Sequence, residues 1–154
     1  MRPGAGIVRG MSAFTDEEIA YLQSQSLGRM ATVGPDGRPH VIPVTFAYNP
    51  TEDAIDVGGI AFGSGKKWRD AKQNPNVTLL VDDVIPEPRR ARALEVRGDA
   101  ELHETGGDAI TPRFPNFTPE FFRIRPRHIV SWGLEEHQDG VTKEEFRPSS
   151  REVS

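Results

Sequence analysis

The sequence predicts a mainly β, α+β domain: an antiparallel barrel of about six strands with short flanking helices. Glycines (15) and prolines (13) are spread along the 154 residues, which favours short strands and turns over long helices. Runs rich in β-branched and aromatic residues recur between those turns, at 29–33, 38–48, 54–59, 77–81, 93–103 and 121–134. Tight turns between the early runs mean antiparallel pairing, and no second layer of helices is available to cover an open sheet, so closure into a small barrel is expected. One domain of this length buries roughly 70% of its unfolded surface.

Residues 1–12 are glycine-rich and unpatterned, and a flexible leader is expected there. Thr15 and Glu18 have the spacing of a capping box, with Phe14 and Ile19 as a hydrophobic staple, so a helix is predicted over about 16–25, with Gly28 just beyond its end. The runs flanking Pro35-Asp36-Gly37 form a hairpin. In the second run Val41, Pro43, Thr45 and Ala47 share one face, and Ile42, Val44, Phe46 and Tyr48 the other. Pro43 cannot donate to a ladder, which predicts an edge or bulged segment there; a ligand against that backbone and a ligand-free edge proline explain it equally well. A turn at 49–53 leads to the strand 54–59.

Residues 61–75, AFGSGKKWRDAKQNP, read as a glycine-containing loop opening into a short helix closed by Asn74-Pro75. Ser64 stands at a cap position, and Lys66, Lys67 and Arg69 crowd the first turn. Cations oppose the helix dipole at that end unless an anion offsets them, so the loop (Ser64, Gly65) with its three cations is a candidate phosphate site. The plainer explanation is a solvated helix start. Residues 77–81 form a buried strand ended by Asp82-Asp83, which point to opposite faces and cannot work as a dyad. Residues 93–103 alternate apolar and polar, the pattern of a strand with one wet face. The segment 105–119 has little pattern beyond a short helical turn near Asp108, and Pro126 bends or frays the last strand. Residues 135–154 are polar and charged and read as a disordered tail, so the domain is expected over 13–134.

The net charge of −4 argues against general nucleic-acid binding, yet basic residues cluster at 66–72, 89–97 and 123–127, which suits a small polyanion or simply solvated faces. With no cysteine there is no disulfide or thiolate chemistry. No apolar run is long enough to cross a membrane, and a cytoplasmic protein is expected. His40, His103, His128 and His137 share no metal-ligand spacing, so no metal site is expected.

The stretches GRMATVGPDGRPHVIPVTFAY, GSGKKWRDAKQNPNVTLLVDD and RIRPRHIVSWGL together resemble the pyridoxamine 5'-phosphate oxidase-like split β-barrel family, in its coenzyme F420-dependent branch. The resemblance runs from about Phe14 to Leu134 and is similar to the subfamily holding tetracycline-pathway reductases of antibiotic biosynthesis. It rests on a K-x-R-x loop-helix, here Lys67-Trp68-Arg69-Asp70, ending in Asn74-Pro75, with Asp70 standing where the family commonly has Asn.

That resemblance implies the split, FMN-binding type of barrel, and a homodimer with the cofactor at the subunit interface. It implies Lys66, Lys67 and Arg69 on the cofactor phosphate, Pro43, Val44 and Thr45 lining the ring, Met30 and Ala31 flanking it, and Trp132, from the partner subunit, closing the pocket. Trp132 by itself fits core or interface packing better than ring stacking. Arg89 and Arg125 are candidates for the glutamate tail. No Ser-His-Asp or carboxylate constellation is evident, and no catalytic residue is singled out, as fits chemistry carried by a cofactor. The expected activity is hydride transfer from the reduced deazaflavin to a conjugated C=C or C=N bond of a small polycyclic or aromatic substrate. An FMN-dependent oxidase or reductase of the same fold and a non-catalytic cofactor-binding protein remain the alternatives.

Overall fold

The computed structural model describes residues 11–112, 114–134 and 148–154. Its elements are α1 (Asp16–Ser24), β1 (Leu27–Val33), β2 (Pro39–Asn49), β3 (Ala54–Gly58), α2 (Lys66–Gln73), β4 (Asn76–Pro86), β5 (Arg89–His103), β6 (Phe121–Trp132) and β7 (Ser149–Glu152). The sheet runs β3-β2-β1-β4-β5-β6-β7, all neighbours antiparallel, and an additional β3–β6 pairing closes the first six strands into a barrel. Short connections dictate the antiparallel order, and closure removes the edges that a six-stranded open sheet would expose. Inward-facing Leu79, Val81, Leu94, Val96, Ile124 and Ile129 are buried in one core.

The closure is incomplete in two places, each marked by a proline. Residues 121–124 of β6 pair with β3, whereas 128–131 pair with β7. Between them the β5–β6 register slips at Arg97/Gly98, opposite Pro126, so the strand changes partners where it lacks a donor. Gly98 is required there: a Cβ would stand 2.1 Å from the Arg125 carbonyl oxygen. Likewise, β2 pairs with β3 only from Thr45 onward, so its first half, with Pro43, has β1 on one side and, among the described residues, a free edge on the other. The edge segment expected at Pro43 is there.

A helix plugs each end of the barrel. The capping box of α1 forms as read from Thr15 and Glu18, with Phe14 and Ile19 both buried. Gly28 is no helix cap. It lies inside β1, where a Cβ would meet the Leu79 side chain at 3.0 Å. At the opposite end α2 inserts Trp68, stacked on Phe122 at 5.5 Å with Phe62 edge-on.

Two expectations are corrected. The strand through Asp82-Asp83 continues to Pro86, because Asp82 pairs with Arg29 and Asp83 receives a bidentate bond from Arg92 on β5. The last residues of the presumed tail form β7, held by Arg151, which binds the buried Glu18 carboxylate and the Ala13 carbonyl. Residues 1–10 and 135–147 lie outside the described residues, as does His137.

Candidate cofactor site

Gly65, extended at ψ 168°, is the N-cap of α2 and provides no side-chain cap. The first amides of the helix, at Lys66, Lys67 and Trp68, therefore face outward without an internal carbonyl partner. The expected Ser64 cap does not form. Its hydroxyl donates back to the Ala61 carbonyl at 3.0 Å, which tightens the preceding turn and leaves the amides open. Gly63 presses against Glu120, whose Cγ lies 2.6 Å from where a Cβ would stand.

The three cations at this terminus differ. Lys66 Nζ lies 3.1 Å from the carboxylate of buried Asp70, one turn along α2, and close to Gly34 of the β1–β2 turn. Arg69 is exposed and donates to the Ser64 carbonyl at 3.1 Å. Lys67 is half-buried, with Nζ 4.6 Å from the centre of the Phe62 ring. Among the described residues it pairs with no carboxylate, and burial pushes its ammonium below the usual lysine range. A desolvated cation beside open helix amides is what a phosphate group requires. The residues present fit that group.

The remaining candidates divide by strand alternation. Ala31, Pro43 and Thr45 lie on the outer face of adjacent strands, with Ala31 opposite Val41 and Pro43 opposite Arg29. Met30 and Val44 instead point into the barrel core and can offer a ligand only their backbone. Trp132 sits half-buried at the far end of β6, paired with Ala93. It is ten residues, about 30 Å of strand, from Phe122 and the head of α2, so within one chain it does not reach the cradle. Arg125 is held by Glu52 and Glu101, and its hydrogen bond is the main cause of the lowered Glu101 pKa. It is not a free receptor for a glutamate tail. Arg89 is exposed at the start of β5.

One feature had no signal in the sequence. Thr45 and Ala47 form the floor of a cleft of about 330 Å³ between the end of α1 and the 105–119 segment, where Ile110 and Phe114 make the opposite wall. That segment, with its short turn at Gly107–Ala109, can lie on β3 because Gly58 has no side chain: a Cβ there would meet Ile110 at 2.8 Å and Phe117 at 3.2 Å. Among the described residues no helix is long and apolar enough to cross a membrane, and no group of His, Asp or Glu could hold a metal ion.

Comparison with known proteins agrees with the fold. Residues 14–113 match the family described as pyridoxamine 5'-phosphate oxidase. The chain is 41% identical, over 123 residues, to the 5a,11a-dehydrotetracycline/5a,11a-dehydrooxytetracycline reductase of Streptomyces rimosus, covering 79% of this chain and 84% of that one. Among solved structures, a conserved hypothetical protein of Mycobacterium tuberculosis superposes with TM-score 0.63 at 19% identity, over 86% of this chain and 92% of that one. A structure titled F420 reductase superposes with TM-score 0.54 at 24% identity, over 71% and 93%. These structures share the fold.

Proposed function

This chain belongs to the pyridoxamine 5'-phosphate oxidase family, and on that premise we propose that it is a coenzyme F420-dependent reductase acting on a conjugated double bond of a polycyclic substrate. The observation that carries the proposal is Lys67: a desolvated ammonium with no carboxylate partner among the described residues, beside the open amides of α2. The 41% identity to a reductase of dehydrotetracyclines supports the reaction class. When bound, the reduced deazaflavin would supply a hydride to the electron-poor carbon, with a proton from water completing the reduction.

The chain's own part is to bind and to position. The α2 amides, Lys67 and Arg69 hold the phosphate, and Lys66 keeps Asp70 neutralised behind them. Ala31, Pro43 and Thr45 give the ring a flat shelf on the outer face of β1 and β2. The partner for that shelf is a second copy. The first half of β2 is exposed on both faces, Val41 by 62% and Ile42 by 38%, with Leu27 and Val84 also exposed by 49% each. Apolar sheet surface of that kind marks an interface. A homodimer would also bring the other subunit's Trp132 toward the shelf.

The test is fluorescence titration of the purified protein with coenzyme F420 and, separately, FMN, at two salt concentrations. Micromolar, salt-sensitive binding of the deazaflavin is expected, and K67A/R69A should weaken it by about 3–5 kcal/mol if each side chain makes a charge-assisted contact. Unchanged affinity in the double variant overturns the cradle. Tighter FMN binding would make the protein a flavin enzyme on the same scaffold, and binding without turnover of any enone a carrier.

A further inference from the structure

We propose that the cleft between α1 and the 105–119 segment is the substrate subsite, and that it takes the uncharged, oxygen-rich end of a flat polycyclic molecule. This rests on the reductase function proposed above. The carrying observation is the segregation of charge along β2. Lys66 sits against the β1–β2 turn, near His40 and the Asp36 carboxylate, so this end of β2 is charged; the shelf follows at Pro43, and the cleft opens at Thr45. From His40 to Thr45 is about 17 Å of strand, so one extended ligand held by its phosphate at α2 presents its ring next to the cleft.

Among the described residues the lining of the cleft carries no Lys, Arg, Asp, Glu or His. A phosphate or an oligoglutamate would gain nothing there, which leaves the cofactor's charged parts at the other end. One wall is apolar: Phe114, 40% exposed and stacked on Phe117 at 5.5 Å, with Ile110 beside it. Such a face suits an aromatic or polycyclic plane. The opposite wall is the end of α1, where Gln23, Gln25 and Ser26 bring amide and hydroxyl groups that match carbonyl and hydroxyl substituents. A volume of about 330 Å³ lies at the small end of ligand pockets, roughly 300–1,000 Å³, so the cleft holds part of a multi-ring substrate while the reacting ring remains over the shelf.

Two variants test this. Ala47→Trp fills the floor, and Phe114→Ala removes the exposed wall without touching the core. Tetracycline binding is measured by equilibrium dialysis with no cofactor present, and coenzyme F420 binding by fluorescence titration. Each variant should weaken tetracycline binding about tenfold and leave F420 affinity within about twofold. Tetracycline affinity unchanged in both variants, or no tetracycline binding by the unaltered protein, overturns the subsite. Loss of tetracycline binding in the variants of a protein that binds no deazaflavin would uphold the cleft and remove the reductase. F420 binding with a cleft indifferent to both changes would do the reverse.

Discussion

Arg151→Met removes the cation from the buried pair that holds β7 to α1, and its cost can be worked from the structure. Glu18 is 1% exposed. Arg151 bonds to both of its oxygens, Ser131 donates at 2.7 Å and the Thr15 amide at 2.9 Å. Removing one partner of a fully buried ion pair costs about 3–5 kcal/mol. Here the Arg151 side chain is 30% exposed, so water can enter, and two donors remain, which lowers the expectation to about 2–3 kcal/mol.

The cost should depend on pH. Burial alone would raise the Glu18 carboxyl. Hydrogen bonds from Arg151, Thr15 and Ser131 and the charge of Arg151 outweigh it, holding the folded pKa below 4.5. A carboxylate lowered in this way stabilises the fold above its unfolded pKa, and that contribution is lost as pH falls through the folded value. Without Arg151, burial dominates and the folded pKa rises above the unfolded one, so the variant regains stability by protonation as pH falls. The gap between the two proteins should therefore narrow from pH 7 to pH 4. Urea unfolding followed by tryptophan fluorescence reads it, since Trp68 lies in the core. A loss under about 0.5 kcal/mol at pH 7, or one that stays constant down to pH 4, refutes the pairing. Glu18→Gln combined with Arg151→Met should lose less than Arg151→Met alone.

Two further outcomes are expected. Asp70→Asn releases Lys66 from its 3.1 Å ion pair toward the phosphate cradle, and should tighten coenzyme F420 binding about threefold, under 1 kcal/mol; weaker binding in fluorescence titration would show that Asp70 orients the lysine instead. Val41→Glu places a charge on the exposed first half of β2 and should convert a dimer to a folded monomer by light scattering; an unchanged mass would put the interface elsewhere.

What the sequence made legible was whatever is settled within a few residues. The capping box at Thr15 and Glu18, the turn at Gly37 with its φ of 80°, and the prolines at 43 and 126 each state a local requirement, and each is met. The proposed cradle is legible as a candidate because Lys66, Lys67 and Arg69 oppose the dipole of their own helix, a conflict that asks for an anion. Strand alternation is legible in 93–103, whereas for β1 and β2 it does not tell that the Met30 and Val44 side chains point into the core while their strand neighbours face outward. Alternation allows one of each adjacent pair to point outward, and only the register of β1 against β2 shows which.

The features missed are those made by contacts distant in sequence. Arg151 reads as one more charge in a polar tail until Glu18, 133 residues earlier, is seen buried beside it. The 105–119 segment is unpatterned because its partner is an absence of side chain: Gly58, in a short buried strand, admits Ile110 and Phe117 to the outside of β3. From that follows the division of labour along β2. Among the described residues its edge at Pro43 has no strand partner, and its outer face passes from the basic end at α2 to a cleft at Thr45 and Ala47 whose described lining is uncharged. A charged cofactor and a neutral substrate can then meet over one strand without competing for the same groups. On the function proposed for this chain, substrate choice rests with the segment packed on Gly58, and changes there should alter it while leaving cofactor binding at α2 intact.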